Sequence, residues 1–492
     1  MSTNTAPTRR VARFAVASLP FVVPFLVLLL ATLPQGFETL VSGYNVPLDA
    51  TPSQARRIFG GSDAGSLLGA AISFHDTGII VLEWKWVYAF WPPGMIWVDR
   101  AMLSVHDVLG VPIVIQMVLA NCLALEAFIG TGFTVIWRRR GLLTASLFGV
   151  GALLYSGISV WGVKSGLFYA DTFGVVAYCT ALLLLALVPG AATGRRRVLI
   201  VGAGVLLAVA CYFRASFELI VLATLVVSAA SLAVILVFRR LRKGKAFAET
   251  VPALLVPLAG ASAVAEILLT PWRLYAGLRI HPVDFRWSAL SDLVAAARWL
   301  PNRVLEAEGA GSAADGHSNW VCLADPVQCE RIYALEQGTA APYSGGPNGY
   351  FTTEQLNDMA TDAIISHPFS VIGERIQAIY LGLFANTGGP IGDFAIAESL
   401  LIVLLFAASL VVLIRTRTFL NPGFSLLVAA TVLQFGVLLL LHMEARYFLG
   451  IELGIILLAP LILGPGGVRS RETVTPLTTG SPGPAEAERA TG

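Results

Sequence analysis

The sequence predicts an all-α polytopic membrane protein: about ten transmembrane helices, with extracytoplasmic juxtamembrane helices and loops. Three observations predict it. The first is composition: of 492 residues, 56% are hydrophobic and 13% charged, and the mean hydropathy is +0.74. A soluble domain carries about 25% charged residues, so a chain this apolar could not cover its own surface and the surplus must face lipid. The second is a series of apolar runs approaching the roughly 20 residues that cross a bilayer. The third is the placement of the basic clusters between those runs.

The runs are Phe14–Pro34, Val111–Trp137, Leu142–Trp161, Thr172–Pro189, Val198–Phe213, Leu219–Phe238, Val251–Leu269, Phe394–Ile414, Phe424–Leu441 and Tyr447–Leu463. Arg9, Arg10 and Arg13 precede the first, which is too long for a signal-peptide core and has no small-residue cleavage site after it. It reads as an uncleaved span. With the N-terminus in the cytoplasm, the cytoplasmic joints become Arg138–Arg140, Arg195–Arg197, Arg239 to Lys245, Arg415 to Arg417 and Arg469 to Arg471. Every short basic cluster then falls on one side, as the positive-inside rule requires. A miscount of one span would scatter them over both faces. The expected setting is a plasma membrane, by composition a bacterial inner one, with both termini cytoplasmic.

Four regions follow. Residues 1–269 form an N-terminal transmembrane module. It includes a long outer loop, roughly Gln35 to Gly110, rich in Trp84, Trp86, Trp91 and Trp97; tryptophans suit the headgroup level, and short surface helices are expected there. Residues 270–392 form an extracytoplasmic segment. Near its end Ile372, Ile376, Ile379, Tyr380 and Leu383 share a helical face against Glu374, Arg375 and Gln377, the pattern of an interfacial helix. Residues 393–468 hold the C-terminal transmembrane helices, and residues 469–492 read as a disordered cytoplasmic tail.

Cys122, Cys179 and Cys211 lie inside apolar runs and read as buried small hydrophobes. Cys322 and Cys329 lie in a polar segment around Pro326, with only His317 nearby as a further metal ligand. A disulfide in an oxidising compartment is expected for this pair.

The net charge is +2, and no basic block interleaves with aromatics, so nothing points to nucleic acid. Phosphate-binding loops, zinc-protease helices and Gly-x-Ser-x-Gly elbows are absent from the sequence, which speaks against ATP-driven transport by this chain alone. Polar residues gather instead at the outer ends of spans: Asp63 and Lys85 in the first outer loop, Lys164 in the next outer turn and Asp171 opening the fourth span. Arg214 and Glu218 lie between the fifth and sixth spans, and His442, Glu444, Arg446 and Tyr447 between the last two. Taken singly, each is more often a solvated helix cap or an interfacial anchor. Jointly, acids from distant parts of the chain share a membrane face with basic residues suited to phosphate. That combination fits an enzyme acting on a lipid-linked phosphate. A carboxylate would take a proton from an acceptor hydroxyl, and Arg or Lys would hold the leaving phosphate.

Four motifs carry a family likeness: Ser62-Asp63-Ala64-Gly65-Ser66-Leu67-Leu68-Gly69-Ala70 soon after the first span, Gly78 followed by Trp91-Pro92-Pro93-Gly94, Phe168-Tyr169-Ala170-Asp171 opening a span, and Glu444-Ala445-Arg446-Tyr447 opening the last one. Ser366-His367-Pro368-Phe369 before the amphipathic segment adds to them. In order and topological placement the chain resembles the GT-C class of integral membrane glycosyltransferases, which includes protein mannosyltransferases and lipid A aminoarabinose transferases. The resemblance implies inverting transfer of a sugar from a polyprenyl-phosphate donor to an extracytoplasmic glycan, lipid or protein acceptor of the cell envelope. By position, Asp63 matches the class's catalytic acid and Asp171 its second loop acid. Lys85, Glu444 and Arg446 would lie near the donor. Asp63 is followed by Ala64 and Gly65, not by a second acid two residues on as in metal-dependent members. A divalent metal is therefore not favoured, and no other cofactor is expected. The large soluble domain of oligosaccharyltransferases is missing, which speaks against peptide-sequon transfer.

The competing reading is a transporter or lipid flippase. It predicts internal repeats and interrupted helices with ionisable residues at the bilayer midplane, whereas here no persuasive repeat stands out and the ionisable residues cluster at span ends. A non-catalytic scaffold, the third reading, predicts that Asp63→Asn and Asp171→Asn leave activity unchanged.

Overall fold

The computed structural model describes residues 18–30, 46–60, 63–157, 160, 171–241, 247–279, 365, 368–384, 389–416, 421–438 and 445–464. Among these residues there is no strand. Helix α1 is Ser18–Leu30. The first outer loop folds into α2 (Pro52–Phe59), α3 (Asp63–Thr77), a 3-10 turn at Leu82–Trp84, α4 (Lys85–Phe90) and α5 (Gly94–Leu109). There follow α6 (Ile113–Arg140), α7 (Leu142–Tyr155), α8 (Asp171–Ala186), α9 (Thr193–Phe213), α10 (Ala215–Leu241) and α11 (Phe247–Arg279). The C-terminal part comprises α12 (Pro368–Leu383), α13 (Gly389–Thr416), α14 (Pro422–Leu438), a 3-10 turn at Ala445–Phe448 and α15 (Leu449–Leu463).

Each of the ten predicted spans overlaps a helix among the described residues. Six are long and apolar enough to cross a membrane: Ile113–Arg140, Thr193–Phe213, Ala215–Val237, Val251–Ala276, Phe394–Thr416 and Arg446–Leu463. The helices at Ser18–Leu30, Leu142–Tyr155, Asp171–Ala186 and Pro422–Gly436 are apolar but only 10–17 residues long.

Helices α8 and α15 form the centre. Helix α8 packs against α6, α9, α14 and α15, and α15 also meets α6, α7, α13 and α14. Residues Leu449 to Ala459 of α15 are all buried, as expected of a helix that is apolar on every side. By contrast α10 and α13 expose Val226, Val227, Val234, Leu400, Leu401 and Leu404, faces suited to hydrocarbon.

The helix ends sort by charge. Gly450 lies beside Tyr178 and Gly454 beside Leu182, so α8 and α15 run in the same direction. Arg140 donates to the carbonyl of Leu461, which joins the basic end of α6 to the last turn of α15. Asn421 donates to the Ala186 carbonyl at 3.1 Å, and thereby brings the start of α14, shortly after Arg415, to the end of α8. Arg138–Arg140, Arg195–Arg197 and Arg415 therefore gather at one end of the bundle. The starts of α8 and α15 lie at the other.

The described part of the Trp-rich segment between the first two predicted spans is built as helices, as its composition predicts. Thr51 and Gln54 form a reciprocal cap on α2, satisfying donors that the first turn would leave open. A Cβ on Gly65 would sit 2.3 Å from the Gly60 carbonyl oxygen, so only glycine permits α3 to lie this close to the end of α2. The amphipathic segment is likewise a helix: α12 leaves Phe369, Ile372, Ile376 and Tyr380 exposed along one face and packs against the Ala445–Phe448 turn and α14. Most of segment 270–392 and the whole of 469–492 fall outside the described residues.

Candidate active site

Three segments far apart in sequence converge at the end of the bundle opposite the basic clusters. Asp63 is the first residue of α3, Asp171 the first of α8, and Arg446 lies in the 3-10 turn that leads into α15. Arg214, at the joint of α9 and α10, is the fourth member.

Arg446 Nη2 donates to Asp63 Oδ2 at 2.7 Å, and its Nη1 lies 3.8 Å from Asp171 Oδ2. Arg214 forms an ion pair with Asp171 Oδ1. Asp171 is thus shared by two guanidiniums, and its side chain is only 3% exposed. The Asp63 side chain is 32% exposed and Arg446 15%. The guanidinium carbon of Arg214 stands 4.8 Å from the centre of the Tyr447 ring, and that of Arg446 stands 6.0 Å from it. The site is a charge-balanced group of two carboxylates and two guanidiniums around one aromatic face, open to the surface at Asp63.

Each member is held from behind. Phe173, two residues after Asp171, stacks on Phe213 at 5.3 Å, and Tyr178 stacks on Phe217 at 4.8 Å. These contacts fasten α8 to the joint that carries Arg214. The joint is also clamped by α5, because a Cβ on Gly94 would fall 2.4 Å from the Tyr212 carbonyl oxygen. Gln434 of α14 donates to the Tyr447 carbonyl, fixing the Arg446 turn. Deeper in α15, Tyr155 donates to Glu452, and the Cys179 thiol points to the Gly450 carbonyl at 3.6 Å.

The other predicted residues divide. Tyr447 joins the cluster through its ring. Lys85 is half-buried at the start of α4, and its side chain forms no ion pair among the described residues. Glu218 faces α11 rather than the cluster: Arg273 Nε donates to Glu218 Oε1 at 2.8 Å, while its Nη1 binds Glu266 Oε2 at 2.5 Å. Lys164, His442 and Glu444 fall outside the described residues, as do Cys322 and Cys329 of the expected disulfide. Cys122, Cys179 and Cys211 are free and buried, as their apolar surroundings predict. Among the described residues no three His, Cys, Asp or Glu side chains are grouped so as to hold a metal ion.

Two buried groups escaped the sequence reading. Arg273 lies beyond the predicted seventh span, Val251–Leu269, yet α11 continues through Pro271 to Arg279. Asp99, on α5, is 1% exposed, and its Oδ1 has no hydrogen-bond partner among the described residues. Burial pushes its carboxyl well above the usual carboxylate range.

No family model matches the chain, and no curated protein matches it. Two solved structures are similar to it: crystal structures of ArnT from Cupriavidus metallidurans, one bound to undecaprenyl phosphate and one in the apo state. Identity is 16% for the bound form and 15% for the apo form; each match covers 93% of this chain, and 79% and 78% of the respective ArnT chains. The TM-score is 0.33 for both, too low to bear on the chemistry, which rests on the geometry above.

Proposed function

We propose that the protein is a GT-C-like membrane glycosyltransferase that transfers a sugar, with inversion, from a polyprenyl-phosphate donor to an extracytoplasmic acceptor of the cell envelope. The observation that carries this reading is the meeting of Asp63, Asp171, Arg214 and Arg446 at the end of the bundle opposite the arginine clusters. By the positive-inside rule the clusters face the cytoplasm, so the site opens on the far side, where a lipid-borne donor presents its headgroup.

In this reading the acceptor hydroxyl attacks the anomeric carbon while Asp63, the exposed acid, takes its proton. The bond from that carbon to the phosphate oxygen breaks, and its electron pair leaves with polyprenyl phosphate. Arg214 and Arg446 hold the phosphate and stabilise the charge it gains. Asp171 orients both guanidiniums and stays out of the proton transfer. Lys85, Lys164, His442 and Glu444 remain candidates for further donor contacts, and Tyr447 presents its ring to Arg214.

The test is direct. Purified protein given a polyprenyl-phosphate sugar and an envelope acceptor is expected to release free polyprenyl phosphate. Asp63→Asn is expected to slow release by about 10²-fold, the scale of losing a general base. An unchanged rate in that variant would remove Asp63 from the role. A flippase would instead move the labelled lipid across vesicles with its sugar still attached.

A further inference from the structure

We propose that Asp63 and the donor phosphate compete for Arg446, so that the lipid phosphate displaces Asp63 from its ion pair when it binds. This rests on the donor reading above and adds an order of events to it. The two carboxylates and two guanidiniums cancel in charge, and both acids are already engaged by arginine. An incoming phosphate therefore meets guanidiniums already shared with carboxylates and competes with those carboxylates for them.

Burial decides which contact yields. The Asp171 side chain is 3% exposed and touches both arginines. Stripping it of them would leave a buried carboxylate without a cation, a costly state. Asp63 is 32% exposed, and its ion-pair partner among the described residues is Arg446. Once released, its carboxylate turns to water, and a part-exposed pair of this kind contributes little stability. The phosphate therefore takes the Arg446 face that Asp63 occupies, while the Arg214–Asp171 pair remains as a fixed backstop. In the ion pair Asp63 Oδ2 accepts from Arg446 Nη2–H, and displacement frees that oxygen as well for the acceptor's proton.

Binding linkage fixes the sign of the test: whatever competes for Arg446 weakens phosphate binding when present and tightens it when removed. The measurement is the affinity of the full-length protein in detergent for a polyprenyl monophosphate, with inorganic phosphate as a second probe. Asp63→Asn is expected to bind both about 2- to 5-fold more tightly than wild type, the scale of losing one part-exposed competing pair, although its turnover falls. Asp63→Ser, a residue suited to a helix start, is expected to do the same and serves if the Asn variant folds poorly. Asp171→Asn removes the same charge but loosens both arginines, so it is expected to bind less tightly. Equal tightening in Asp63→Asn and Asp171→Asn would mean general charge repulsion and would overturn the displacement, and so would tightening toward the lipid but not toward inorganic phosphate. Unchanged or weaker binding by both Asp63 variants, with wild type still binding, would overturn the competition and leave the donor reading standing. Failure of the wild-type protein to bind either probe would remove the donor reading itself.

Discussion

Arg446 donates to Asp63 at 2.7 Å across 383 positions of sequence, and this one bond joins the first outer loop to the start of the last helix. The same guanidinium lies 3.8 Å from Asp171, so one planar group serves acids on two different helices. A lysine ammonium is a single point of charge and cannot span both. Arg446→Lys is expected to keep the fold but to lower polyprenyl-phosphate release by about 10²-fold, the effect of losing one preorganised donor. A lysine variant with wild-type turnover would show that a positive charge alone suffices at this position.

The Tyr447 ring lies 4.8 Å from the Arg214 guanidinium carbon and 6.0 Å from that of Arg446. Two guanidiniums near one ring assign its contribution to the π face. Tyr447→Phe is expected to keep donor KM within about 2-fold, because the ring remains. Tyr447→Leu is expected to raise it by about 2- to 30-fold, the range spanned by one cation–π contact. Equal effects from the two substitutions would move the role from the ring to the hydroxyl.

Much of the frame was legible in the sequence because it depends on local properties. Apolar run length gave the helices, Trp-rich spacing gave the helical outer loop, and basic clusters gave the two ends. Asp63, Asp171, Arg214 and Arg446 were legible only within a set of ten polar residues that shared an end once the spans were ordered. Their pairing was not. Whether Glu218 or Asp171 takes Arg214 depends on how α8, α10 and α11 pack, and no local pattern encodes that. Arg273 was the missing signal: it claims Glu218 and so leaves Arg214 to Asp171. An arginine directly after an apolar run, with Glu266 seven residues earlier and therefore about two helical turns back, could have revealed the partnership.

The Arg273 network is expected to matter for stability and only indirectly for chemistry. Its guanidinium is 5% exposed and lies between Glu218 and Glu266, which are 5% and 12% exposed. Arg273→Ala strands two buried carboxylates and is expected to destabilise the protein by about 3–5 kcal/mol. The triple variant Arg273→Met, Glu218→Gln, Glu266→Gln removes the charges together and is expected to recover most of that loss. Thermal unfolding in detergent, followed for the single and triple variants, checks both statements. Glu218→Gln alone is expected to leave donor KM near wild type, whereas a large KM increase would return Glu218 to the donor site.

Asp99 supplies a pH dependence whose sign follows from its surroundings. It is 1% exposed on α5, and burial raises its carboxyl well above the ordinary range. In the unfolded chain the same group titrates near about 3.9. At pH values between these two limits the folded protein holds a proton that the unfolded chain has released. Stability must therefore fall as pH rises through that interval, with the loss complete above the folded value. Asp99→Asn abolishes this titration while keeping the side chain's size. Its melting temperature is expected to match wild type near about pH 4 and to exceed it by a growing margin towards neutral and alkaline pH. Parallel curves for the two proteins would mean that Asp99 is not held neutral by burial, and that a cation reaches it when the protein is folded.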